Sequence, residues 1–116
     1  MVSRLFATII VLAATPVLAG PRSVDLPIRG GVLPAEQRVI RVQQGDEVTL
    51  RWTSDRALTV HLHGYDIEQE LKPGTVTQMT FTAHATGRFT IEPHIGKTPS
   101  GGHTHGDVLV TIEVYP

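Results

Sequence analysis

The chain has 116 residues, a formal net charge of −1, six histidines and no cysteine. The missing cysteine excludes disulfides, iron–sulfur clusters, thiol catalysis, zinc ribbons and a thiolate-bound copper centre. The near-neutral balance and the scattered basic residues argue against a nucleic-acid surface or a membrane-binding patch.

The N-terminus reads as a secretory signal. Arg4 supplies a short positive region, Leu5 to Ala14 an apolar stretch, and Val17-Leu18-Ala19 an A-x-A-like cleavage site. The stretch is shorter than the roughly 18–20 apolar residues of a membrane span, and Thr8, Thr15 and Pro16 interrupt it. Residues 1–19 are therefore expected to be a signal peptide and residues 20–116 one domain, with no membrane span once the signal is removed. No cysteine follows the cleavage site to carry a lipid anchor, so a periplasmic or secreted location is expected.

Beyond the signal, short runs of period-two alternation recur between Gly, Pro and Asp punctuation, which predicts an all-β chain. Val24, Leu26 and Ile28 form the first run, broken by Gly30-Gly31. Val39 to Val42 form the second, and the turn signal Gln44-Gly45-Asp46 leads into Val48, Leu50 and Trp52. Leu58, Val60 and Leu62 then alternate with Thr59, His61 and His63, which puts the two histidines on the face opposite the aliphatic residues. Tyr65 and Ile67 continue on the histidine parity, and Pro73-Gly74 is a turn. Val76 to Thr82 is the next strand, Ala85-Thr86-Gly87 turns the chain, and Phe89 and Ile91 alternate after it. Pro93 to Gly106 reads as loop by composition, and Val108 to Tyr115 closes the domain. Seven or so short strands at this spacing predict a Greek-key β-sandwich or barrel.

Three segments in this order carry a family resemblance: IRVQQGDEVTLRW, LKPGTVTQMTFTA and TGRFTIEPH. Together they resemble the cupredoxin family over nearly the whole mature chain. The resemblance implies a cupredoxin-like sandwich with copper bound at one end, by a histidine near the start of a middle strand and by Cys, His and usually Met in the loop before the last strand. HLHGYDI matches the first segment, with His63 the better match to the family ligand and His61 a second ligand or an outward neighbour. The loop departs from the pattern. Ile91-Glu92-Pro93-His94 stands where the cysteine is expected, and Thr104-His105 where the methionine is expected.

His63, His94, His103, His105 and His61 are therefore the candidate metal ligands, all expected at one end of the domain. Imidazole suits Cu(II) and Zn(II), and the affinity order peaks at Cu(II), so copper is the first expectation and zinc the second. Glu92 is a candidate carboxylate ligand that its alternation places on the solvent face, and His84 is read as a surface residue at the opposite end. Trp52, Phe81 and Phe89 are read as core.

Three functions of different class fit these residues. The first is an exported copper carrier, chaperone or buffer, with a copper-donating or copper-receiving exported protein as partner and no nucleic acid. The second is a metal-free accessory or interaction domain on the same fold. A small histidine-metal enzyme ranks last, since the only acids near the loops are Glu92, Asp66 and Asp107 and no Ser-His-Asp set is present; a non-enzyme is expected.

Overall fold

The structure is a computed structural model that describes residues 2–3, 5–13, 18–97 and 103–116, with the backbone alone for 95–97 and 103–105. Its strands are β1 (Pro21–Ile28), β2 (Val39–Gln43), β3 (Glu47–Ser54), β4 (Leu58–Leu62), β5 (Ile67–Leu71), β6 (Thr77–Thr82), β7 (Gly87–Lys97), β8 (His103–His105) and β9 (Val110–Tyr115). One turn of 3₁₀ helix, Ala35–Gln37, precedes β2. Among the described residues no helix is long and apolar enough to cross a membrane.

Two mixed sheets result. One has the order β1-β3-β6; the other runs β2-β9-β7-β4-β5, with β8 paired to β7. The parallel pairs, β1 with β3 and β2 with β9, join strands distant in sequence, while β4 and β5 form an antiparallel hairpin. Alternation puts Val48, Leu50 and Trp52 of β3 inward against Val60 and Leu62 of β4, Ile91 of β7 and Val110, Ile112 and Val114 of β9. Trp52 is fully buried, and Phe81 and Phe89 pack in or against the same cluster, as expected of core residues. The all-β sandwich read from the sequence is thus the observed architecture.

Three local readings change. Ile67 to Leu71 forms a strand that the polar-rich IEQEL sequence does not signal. The stretch after Pro93 is not simply loop: β7 runs on to Lys97 and pairs with β8, with a register shift between His94 and Gly96 that marks a bulge. Backbone pairing has overridden a composition poor in β-formers. Finally, Tyr65 and Ile67 leave the histidine parity. The turn between Leu62 and Ile67 contains two positive-φ residues, Gly64 and Asp66, and it reverses which parity faces inward. Tyr65 and Ile67 consequently pack against the core, and the Tyr65 ring meets Phe81, Phe89 and His84 at 4.9–5.0 Å.

Gly64 is required twice over. Its φ is +87°, and a Cβ there would lie 2.6 Å from Phe89 Cδ1. Gly64→Ala should therefore lower stability by roughly 1–3 kcal/mol through strain and overpacking, read as a fall in the urea midpoint.

Exposed pairs such as Arg51–Asp25 hold solvated side chains and contribute about 0–1 kcal/mol each. Asp46 differs. It is 2% exposed, and its carboxylate accepts hydrogen bonds from Gly20 N at 2.7 Å and Gln43 N at 2.8 Å. Its own C=O accepts from Ala83 N, while Gln44 N donates to Tyr115 O beside it. One corner thus ties the ends of β1, β2, β6 and β9. The two backbone donors, with help from Arg22, hold the Asp46 carboxyl below its usual range.

The unfolded carboxyl titrates near pH 3.9 and the folded one lower, so the unfolded chain binds more protons in between and stability falls as pH drops through that window. Urea midpoints measured from about pH 5 down to about pH 2 should decline, and the decline should be shallower in Asp46→Asn.

Candidate metal centre

The site follows from strand parity. Because Val60, Leu62, Ile91 and Pro93 face the core, His61 of β4 and Glu92 and His94 of β7 share the other face of the sheet. The antiparallel registers set His61 directly opposite Glu68 on β5 and opposite Glu92 on β7. Directly opposed residues lie close enough for side-chain contact. Glu68, His61 and Glu92 thus form one rung across three strands, with His94 one step along β7.

His61 is the centre of the cluster. Its ring lies 4.3 Å from that of His63 and 5.2 Å from that of His94, centroid to centroid. His94 Nδ1 is 3.2 Å from Glu68 Oε1, His63 Nε2 is 3.2 Å from Glu92 Oε2, and His61 Nε2 is 3.9 Å from Asp66 Oδ1. Three imidazoles and three carboxylates therefore occupy one patch. His94 and His61 are 11% and 17% exposed and Glu68 is 56% exposed, so the imidazoles are inset and a carboxylate reaches solvent.

One ligand atom from each of His61, Glu68 and His94 falls within 4.8 Å of the other two. Metal–nitrogen and metal–oxygen bonds of about 2.0–2.2 Å put two donors on one ion at most about 4 Å apart. The donor set fits a borderline ion such as Cu(II) or Zn(II), and it offers no sulfur to favour Cu(I). The His63–Glu92 pair also resembles the arrangement that fixes ring orientation in metal sites, where the second ring nitrogen donates to a carboxylate outside the ligand set.

The five expected histidines are placed as follows. His61, His63 and His94 come together; His63 stands in the turn beyond β4, beside Glu92, and it is His61 that joins the closest group. The backbone register sets His105 opposite His94 and His103 opposite Lys97, while their side chains lie outside the described residues. The cluster lies on the outward face of β4, β5 and β7, with His63 in the turn that follows β4. Glu92 does lie on the outward face, as its parity requires, but so do the histidines, and that face is the site. Glu68 was missed because the turn at Gly64 and Asp66 hides its parity. His84 is exposed, and its ring lies against Tyr65.

A copper binding protein solved in its apo form has a TM-score of 0.60 at 11% identity, covering 86% of this chain and 93% of that one. The periplasmic domain of cytochrome oxidase subunit II from Bradyrhizobium japonicum gives 0.59 at 12%, covering 81% and 83%. This chain has a cupredoxin fold. A chain of a haem-copper terminal oxidase dimer scores 0.60 at 20% identity over 81% of this chain, which spans 65% of that chain's length. No family model matches the sequence, and no curated protein matches it. The chain lacks cysteine, and among the described residues His61 and His94 stand on the outer face of the sheet that holds β4 and β7, with His63 beside them in the turn after β4.

Glu68→Gln keeps the side chain's shape and removes its charge. Calorimetry should show metal affinity reduced roughly 10–100-fold, while His84→Ala leaves it unchanged. Equal effects of the two would place the metal elsewhere.

Proposed function

We propose that this is an exported copper-binding protein that takes up Cu(II) on an open histidine–carboxylate face and passes it to, or receives it from, another exported protein. The observation that carries this reading is the convergence of His61, Glu68 and His94 within 4.8 Å. His63 and Glu92 stand beside that group, and the register brings the His105 backbone opposite His94 as the source of a further ligand. The copper named for the structurally similar proteins supports the choice of ion. Zinc is the second ion on the same donor chemistry.

A carrier or buffer fits better than an enzyme. The donors lie on a sheet face, whereas catalysis by a bound metal needs an open coordination position inside a shaped cavity. An open cleft of about 490 Å³ is lined by Pro27, Arg29, Val32, Leu33, Pro34 and Arg38, with neither a histidine nor a carboxylate. The signal-like N-terminus supports a periplasmic or secreted location, where copper is met as Cu(II).

A second reading has one observation of its own. Each clustered imidazole already has a carboxylate within 3.2–3.9 Å, which would equally make a self-paired polar face on a metal-free accessory domain. Melting separates the two. Copper at about 100 times its dissociation constant should stabilise a true binder by about 2.7 kcal/mol, and His61→Ala should abolish the gain. A melting temperature indifferent to copper supports the metal-free domain.

The spectrum gives an independent check. With imidazole and carboxylate donors only, the Cu(II) form should be pale, with the electron paramagnetic resonance of a tetragonal site. An intense blue band is chemically closed to a chain without cysteine.

A further inference from the structure

The buried carboxylate of Asp46 points to a use for the chain's cleavage site. The described part of residues 2–13 packs on nothing in the sandwich: Leu5, Phe6, Ile9, Ile10, Val11 and Leu12 are 80–94% exposed, and Ala19 is exposed too. The fold begins abruptly after it. Gly20 O accepts from Glu47 N at 3.1 Å, Pro21 opens β1 in register with Glu47, and Gly20 N lies 2.7 Å from Asp46 Oδ1. The backbone nitrogen that the A-x-A-like site would release is therefore already seated on a carboxylate only 2% exposed.

We propose that hydrolysis of the Ala19–Gly20 peptide bond is a maturation step that converts this amide–carboxylate hydrogen bond into an ion pair. Water adds across the amide, the carboxylate leaves on Ala19, and the nitrogen, protonated at neutral pH, becomes the α-ammonium of Gly20. It remains on Asp46 Oδ1, while Arg22 Nε approaches Oδ2 from β1 at 3.5 Å and Gln43 N donates to that same oxygen from the end of β2. The bond to the Asp46 carboxylate is charge-assisted on the acceptor side before cleavage, and cleavage adds a full positive charge on the donor, so the mature chain is held at its corner more firmly than the precursor. Because that corner joins both sheets, the gain is global. The proposal rests on the export reading of residues 1–19 and is independent of the metal.

The sign of the pH effect is fixed. An ammonium beside a carboxylate binds its proton more tightly when folded, so this stabilisation is present below the ordinary α-amino value of about 7.7–8.0 and is lost as pH rises through the higher folded value.

The test uses the full chain expressed with its leader and purified after export. Its intact mass should correspond to a start at Gly20. A start elsewhere overturns the assignment while leaving export standing, and a protein retaining residues 1–19 overturns both. In the protein starting at Gly20, the α-amino group, followed by NMR after ¹⁵N-glycine labelling, should hold its proton roughly tenfold more tightly than an ordinary terminus. An ordinary value overturns the pairing. Asp46→Asn should return the amine to its ordinary range. Should that variant not fold, acetylating the terminus of the purified protein gives the second measurement: the melting temperature should fall and its alkaline decline should vanish, and a melting curve unaffected by acetylation overturns the proposal.

Discussion

Everything distinctive about this molecule depends on the inward commitment of four residues on two adjacent strands. Val60 and Leu62 on β4 and Ile91 and Pro93 on β7 are buried in one core, and a strand has only two faces. Burying them fixes His61, Glu92 and His94 on the opposite face. Slipping either strand by one residue would drive its imidazoles into the core and its aliphatic residues into water, so the hydrophobic effect holds the register that the site needs. Pro93 adds to this. It cannot donate to the ladder, yet it sits in the interior of β7, opposite Val60, and its carbonyl accepts from Gly106 N at 2.8 Å.

The same constraint decides which residues around Pro93 can face outward. The resemblance placed a thiolate at or beside Pro93. Pro93 itself points into the core and cannot bind a metal, while the neighbours on either side of it, Glu92 and His94, point outward. With the soft ligand gone, the remaining donors are nitrogen and oxygen, and the cross-strand register gathers them from three strands at once. Carboxylates are part of this gathering: Glu68 lies against His94 and Glu92 against His63.

The two sheets were legible in the sequence wherever alternation was strict. Val48, Leu50 and Trp52, or Leu58, Val60 and Leu62, announce both a strand and its buried face, and both were read correctly. The candidate histidines were legible by residue type, and the convergence of His61, His63 and His94 is what the structure shows. What could not be read was the phase across a turn. Gly64 and Asp66 in the left-handed region reverse the parity between β4 and β5, so the alternation that placed His61 gave no information on Glu68. Nor could β8 be seen. Its three residues become a strand only through their pairing with the long β7, a tertiary effect that local composition does not encode.

The donors also differ in how firmly the fold holds them. His61 and His94 stand on β4 and β7, each flanked by neighbours on both sides, whereas Glu68 stands on β5, the last strand of its sheet, and is half exposed. Edge strands have fewer backbone partners and open locally at lower free energy than central ones. An ion held on this face would therefore be gripped by two fixed imidazoles and closed over by a carboxylate on the more mobile element. Were an ion bound here, His61 and His94 would hold it from central strands and Glu68 from the edge strand, where the donor is the more accessible to solvent.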